Sequence, residues 1–247
     1  MSKSLGNVID PLDAIKKYSA DSLRMFLVSV ASPDSDFNWS DKGIQGSYKF
    51  TLKLFNYFDN IKGKLGKSSS KVESKINKTI KEFTEDIENF RYNITVIKLR
   101  SLLDFLIEEK EVSINDLESF LKLISVFCPY LAEELWEKIG NKGFISLEKW
   151  PIANDKKIDE RFEKEEKAID NLINDIKNIL RILENKGEKK NKIKIFVIPK
   201  EIEIYKNAKE KIEKIFDINS EILFVTEASK TGKTIKAKPG KPGIFLE

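Results

Sequence analysis

Between residues 41 and 138, apolar side chains recur every three or four positions in one segment after another, and nothing else in the chain restricts its fold as strongly. Residues 41–61 carry Ile44, Tyr48, Leu52, Phe55 and Phe58 at helical spacing. Residues 72–90, 91–109 and 115–138 read as three further amphipathic helices. In the second, Ile94, Ile97 and Leu102 mark the core side, widened by Leu103 and Leu106; the third has Leu117, Phe120, Leu121, Ile124 and Phe127, then Leu131, Leu135 and Trp136. A single helix cannot hide its own stripe, so several must pack together, and an up-and-down bundle is the expected solution. A coiled coil would need its repeat to persist over several heptads, and Pro129 interrupts the last segment.

The flanks differ. Asp10-Pro11 reads as a helix start, since an aspartate caps an orphan amide and proline is tolerated in the first turn; Leu12, Ile15, Leu23, Phe26 and Leu27 then face a packed neighbour until Pro33. Gly63 to Ser70 is the best internal loop. Ile158 to Lys186 is a long charged helix that closes the bundle or leads away from it, and Gly187 with the polar run to Lys192 marks a boundary. Beyond it, Ile193–Ile198 and Glu221–Val225 are strand-like and Glu201–Phe216 helix-like. The expected fold is therefore mainly α, a helical bundle followed by a small mixed α/β C-terminal domain, divided as 1–40, 41–186 and 187–247.

The 44 lysines and arginines nearly balance 40 acids, but not evenly along the chain. Residues 186–247 hold 15 lysines and 9 acids, a net of +6, which leaves 29 basic and 31 acidic residues, a net of −2, before them. A phosphate backbone would be drawn to the C-terminal end. The sequence has no histidine and one cysteine, Cys128, set in an apolar run, so histidine zinc sites, imidazole bases and an internal disulfide are excluded and no metal site is expected. No apolar run is long enough for a membrane helix and no signal peptide is visible, so a cytoplasmic chain with a buried, inert thiol is expected.

Met1-Ser-Lys-Ser-Leu-Gly-Asn-Val-Ile-Asp10 resembles the signature loop of class I aminoacyl-tRNA synthetases. The likeness continues in order through Asp10-Pro-Leu-Asp-Ala-Ile-Lys-Lys-Tyr18, Ser19-Ala-Asp-Ser-Leu-Arg24 and Ser32-Pro-Asp-Ser-Asp-Phe-Asn-Trp39, where the synthetase core passes into its helical bundle. The segment Asp36 to Asp41, with Gly43 to Gly46 and Phe50, is most similar to leucyl-tRNA synthetases; isoleucyl- and valyl-tRNA synthetases share the opening. The stretch Phe127 to Trp136 resembles a bundle helix of the same enzymes, although many of them carry histidine where Tyr130 stands, and Ile145 to Pro151 resembles their closing segment.

A mobile lysine can approach triphosphate oxygens and stabilise the charge of departing pyrophosphate. The resemblance implies that Lys3 does so in a parent enzyme, with Ser2 and Ser4 beside it at the ATP site and Mg²⁺ accompanying the nucleotide. It also implies an upstream catalytic domain as partner, so this chain alone is expected to show no leucine-dependent ATP–pyrophosphate exchange and no tRNA charging. Exchange by rigorously purified chain, abolished by Lys3→Ala, would overturn that expectation.

Other candidates have plainer readings. Asp21 and Arg24 lie three apart and form either a solvated ion pair or an element that orients the junction. Phe37 and Trp39 pin the segment leaving the catalytic region rather than stack bases; Trp136 is a core anchor; Glu133 and Glu134 are helix-surface charges, since neighbours point about 100° apart on a helix. Ser229 to Thr234 ends like a P-loop, but Glu227 stands where that motif needs glycine.

The last residues hold Lys230, Lys233, Lys236, Lys238 and Lys241, then Ile244, Phe245 and Leu246 before Glu247. A solvated basic tail is one reading, but the apolar ending needs a core or a partner. The ending resembles the C-terminus of archaeal-type leucyl-tRNA synthetases, which implies that these lysines engage the leucine tRNA backbone while the apolar residues meet the tip of its long variable arm. A standalone structured-RNA-binding module and a protein-interaction bundle are the alternatives.

Overall fold

In the computed structural model, residues 8–187, 192–224 and 237–247 are described, and the chain forms two compact units, Met1–Asp159 and Glu160–Glu247. The first unit is helical: α1 (Pro11–Tyr18), α2 (Ala20–Ser29), α3 (Asp41–Asp59), α4 (Ser70–Glu88), α5 (Tyr92–Glu108), α6 (Ile114–Ser125) and α7 (Pro129–Lys138). Serine and aspartate caps start most of them. The Leu12 amide donates to Asp10 Oδ1 at 2.8 Å, that of Gly43 to Ser40 Oγ at 3.1 Å and that of Val72 to Ser69 Oγ at 3.2 Å. The segment expected as one helix over 115–138 is two, because Pro129 lacks an amide donor and forces Cys128 out of helical geometry, at φ −122° and ψ 63°.

Phe58, Phe83, Leu99, Leu102, Phe120, Leu121, Ile124, Leu135 and Trp136 belong to one core cluster, and a smaller one joins Ala14, Tyr18, Leu23, Phe26 and Ile44. Gly43 lets α3 meet α2: a Cβ there would come within 2.6 Å of the Phe26 ring. Two expected stripes are corrected. On α3 the buried face is Ile44, Ser47, Phe50, Thr51, Leu54, Tyr57 and Phe58, while Leu52 and Phe55 are exposed. Ser47 and Thr51 can be buried because they are hydrogen-bonded, to Arg100 Nη2 at 3.1 Å and to Ser22 Oγ at 3.0 Å, so apolar spacing alone places Ile44 and Phe58 correctly but misses the polar part of the face. On α5 the core takes Thr95, Val96, Leu99, Leu102, Leu103 and Leu106, and Ile94 and Ile97 face outward.

The second unit contains α8 (Glu160–Asn185), β1 (Lys192–Val197), α9 (Ile202–Asn207), α10 (Lys209–Phe216), β2 (Asn219–Phe224) and β3 (Gly243–Leu246). The sheet order is β2-β1-β3, with β1 parallel to β2 and antiparallel to β3. The two helices between β1 and β2 supply the crossover that a parallel pair requires. Ile193, Ile195 and Val197 alternate onto one face and form a core with Leu172, Ile173 and Ile176 of α8, Tyr205, Ile212 and Leu246. The division of the chain thus falls before α8, not at Gly187 as expected, because the apolar stripe of α8 belongs to the core of the sheet unit. The fold class is the expected one: mainly α, with a small mixed sheet toward the C-terminus. Among the described residues, no helix is long and apolar enough to cross a membrane.

Candidate nucleic-acid interface

Ser2, Lys3 and Ser4 lie outside the described residues, as do Lys230, Lys233 and Lys236 and the P-loop lookalike from Ser229 to Thr234. Lys238 and Lys241 are described and meet across a tight turn. Each amide donates to the other's carbonyl at 2.9 Å, with Pro239 and Gly240 between them. Gly240 has φ +67°, and proline followed by a positive-φ residue is the arrangement of a type II turn. The Gly240 amide also donates to Glu201 Oε1 at 2.9 Å, which anchors the turn to the start of α9. Both lysines have no ion-pair partner among the described residues.

The chain then enters β3. Ile244 lies opposite Ile195 and Leu246 opposite Ile193, so both share the helix-packed face, and Leu246 is only 8% exposed. Phe245 lies opposite Lys194 and takes the other face, where Lys194 pairs with Glu247 at 2.6 Å and Lys192 with Glu221 at 2.9 Å. Of the three apolar residues at the end, Phe245 is therefore the one placed among charged neighbours. The arrangement offers two free ammonium groups on a braced turn and an aromatic ring one strand further on, which suits phosphate contact with an adjoining apolar contact.

In the first unit, Asp21 and Arg24 do not form a solvated pair. The Leu131 amide donates to Asp21 Oδ2 at 2.7 Å, and Arg24 Nε donates to the Phe127 carbonyl at 3.3 Å. Cys128 provides no side-chain cap for α7, so Asp21 caps that helix from a distant part of the sequence. A carboxylate meets the positive end of α7 and a guanidinium the negative end of α6. Burial pushes the Asp21 carboxyl up, opposed by the amides of Leu131 and Tyr130 and by Arg24. This is the orienting role considered from the sequence.

Glu134 is exposed, as expected, whereas Glu133 departs from a plain surface charge: it accepts from the amides of Ile145 and Ser146 at 2.8 and 3.2 Å. Although desolvation raises its carboxyl, these bonds hold it below the usual range. Phe37 and Trp39 pack edge-on against Phe26, with centroids 6.3 and 5.1 Å away, as the pinning reading requires. Trp136 is 3% exposed. Cys128 is fully buried and burial pushes its thiol well up, which fits an inert group.

The family model described as the anticodon-binding domain of tRNA ligase matches residues 69–197, just over half of the chain. The chain belongs to that family. The model for class I tRNA synthetases (I, L, M and V) matches residues 1–40. The chain is similar to a leucine–tRNA ligase of Petrotoga mobilis, 35% identical over 174 residues, covering 61% of this chain and 21% of the relative. It is also similar to one of Orientia tsutsugamushi, 38% identical over 168 residues, covering 65% and 20%. The leucine–tRNA ligase subunit beta of Aquifex aeolicus is 33% identical over 170 residues, covering 59% of this chain and 57% of that subunit. This anticodon-binding family member thus spans about a fifth of the length of the first two relatives and somewhat over half of the third. A solved LeuRS–tRNA–LeuAMS ternary complex from Agrobacterium radiobacter K84 matches 64% of this chain and 23% of that chain, with TM-score 0.57 and 25% identity. These relatives are bacterial and give the archaeal subtype no support.

Proposed function

We propose that this chain is the tRNA-binding C-terminal part of a leucine–tRNA ligase whose parent enzyme activates leucine with ATP and transfers it to leucine tRNA. The observation that carries the reading is the succession of a class I synthetase match over 1–40 and an anticodon-binding match over 69–197, with the leucine enzymes as relatives. In the parent, Lys3 with Ser2 and Ser4 would face the ATP phosphates, and Mg²⁺ would arrive with the nucleotide. The terminal lysines Lys230, Lys233, Lys236, Lys238 and Lys241 supply attraction for the tRNA backbone. Phe245 supplies the apolar contact to the long variable arm, with Ile244 and Leu246 fixing the strand that carries it.

The chain is expected to enrich leucine tRNA from total cellular RNA; recovery of isoleucine or valine tRNA instead would reassign the amino acid. Replacing Lys236, Lys238 and Lys241 together by glutamine is expected to weaken binding and lower the slope of log affinity against log salt by about 2–3, as three phosphate contacts are lost. Phe245→Ala is expected to weaken long-armed leucine tRNA more than the same tRNA with its arm shortened. Equal affinity of the unaltered chain for both tRNAs would sink the variable-arm reading and leave a nonspecific basic tail.

A further inference from the structure

The stretch from Lys142 to Lys157 carries the two most exposed large apolar side chains among the described residues, Ile152 at 91% and Leu147 at 82%, with Phe144 at 65% just before them. Apolar side chains scattered singly over a surface need no explanation, but three set so close in sequence do. The backbone that carries them is held at many points. Glu133 accepts from the amides of Ile145 and Ser146, and Ile145 is buried. Beyond that turn the chain runs along α4 in the opposite direction. Trp150 Nε1 donates to Thr84 Oγ1 at 2.8 Å, the Asn154 amide to Asn77 Oδ1 at 2.7 Å and the Asp159 amide to Ser74 Oγ at 2.8 Å. Asp155 pairs with Lys81 and Lys157 with Glu73, both at 2.8 Å. This strap is fixed to α4 while Phe144, Leu147 and Ile152 stay outside, so a partner would meet a surface already ordered and lose little entropy in docking.

The charge of the strap says what such a partner is made of. Its two acids between Lys142 and Lys157 are both taken, Glu148 by Lys122 at 3.2 Å and Asp155 by Lys81. Lys142, Lys149 and Lys156 are exposed and have no ion-pair partner among the described residues. The surface therefore sets apolar groups between uncompensated positive charges, the complement of a chain that sets apolar groups between negative ones. RNA would match the lysines but not the apolar groups, because an unpaired base stacks on a ring and Leu147 and Ile152 offer none. Nor is Trp150 free to stack: its indole is tied to Thr84, and its ring lies 5.8 Å from that of Phe83. We propose that the strap over α4 is a docking surface for a protein segment in which acidic and apolar residues alternate. The proposal goes beyond the tRNA-binding reading and does not depend on it.

The experiment that decides this uses the full chain and a labelled peptide of repeated Asp-Leu-Glu-Phe, with repeated Asp-Ser-Glu-Ser and repeated Lys-Leu-Lys-Phe as control peptides, read by fluorescence polarisation. The acidic apolar peptide is expected to bind about tenfold more tightly than either control. Leu147→Ser/Ile152→Ser is expected to weaken it by about tenfold or more, as the loss of two buried side chains requires. Lys142→Gln/Lys149→Gln/Lys156→Gln is expected to weaken it too and to remove most of its salt dependence. Leu12→Ser/Ile97→Ser, which removes two apolar side chains of similar exposure elsewhere, 63% and 62%, is expected to leave binding unchanged. All these positions are exposed, and thermal unfolding establishes that the variants fold. If the acidic apolar peptide binds no more tightly than the control peptides, or if the strap variants bind it as well as Leu12→Ser/Ile97→Ser does, the proposal is wrong. A larger effect of Leu147→Ser/Ile152→Ser on leucine tRNA, or on vesicles containing phosphatidylglycerol, than on the peptide would also overturn it, in favour of an RNA or a lipid surface.

Discussion

Replacing Trp136 by alanine is expected to lower the stability of the first unit by roughly 3–5 kcal/mol. The indole is 3% exposed within the main core cluster, and Lys122 Nζ lies 5.4 Å from its ring centroid. Its Nε1 has no hydrogen-bond partner among the described residues, so truncation removes packing and leaves a cavity without orphaning a polar partner there. All three tryptophans, Trp39, Trp136 and Trp150, lie in the first unit, so indole fluorescence follows that unit alone and two reporters survive the change. Denaturant titration read by fluorescence gives the difference. A loss under about 1 kcal/mol, well below the range for a buried aromatic, would show that the site is not a core. Unchanged stability with lost tRNA affinity would move the indole to the RNA surface.

Deleting Gly243 to Glu247 is expected to abolish cooperative folding of the second unit while the fluorescence transition of the first stays where it was. The deletion removes β3, takes Leu246 out of the core, and breaks the paired bonds between Lys192 and Glu247, at 2.9 and 3.1 Å. Among the described residues it leaves β1 with β2 as its one partner, and two strands alone are marginal in water. Circular dichroism and limited proteolysis, read against the fluorescence curve, report the second unit. An unaltered second transition in the deleted chain would mean that β3 is dispensable. The same deletion cannot measure RNA discrimination, since lost binding would report lost structure; Phe245→Ala keeps the strand and tests the contact.

The bundle is legible in the sequence because α6 and α7 bury the residues that their spacing marks, from Leu117, Phe120 and Ile124 to Leu135 and Trp136. The α3 and α5 faces depart from their spacing where hydrogen-bonded Ser47, Thr51 and Thr95 occupy core positions and Leu52 and Ile97 do not. Hydropathy cannot anticipate a buried hydroxyl that is satisfied by a bond, whether to another helix, as for Ser47 and Thr51, or to the Tyr92 carbonyl of its own, as for Thr95. The same limit hides the caps: a carboxylate at position 21 gives no local sign that it will meet the Leu131 amide, 110 residues away. The final strand shows only as an apolar ending in need of cover, because four residues carry too little periodicity to identify a strand.

The bonds from Asp21 and Arg24 to the break between α6 and α7 bear on how such a chain can be recombined. The first forty residues match one family model and the later bundle another, which suggests separable modules. They are not separable at this seam. A transplant of residues 1–40 onto another bundle would carry a buried carboxylate and a guanidinium whose partners, the Leu131 amide and the Phe127 carbonyl, stay behind. The recipient must offer a helix that ends and another that begins, uncapped, at the same place. Crossovers that keep Asp21, Arg24 and residues 126–131 from one ancestor preserve the junction, and those that divide them do not.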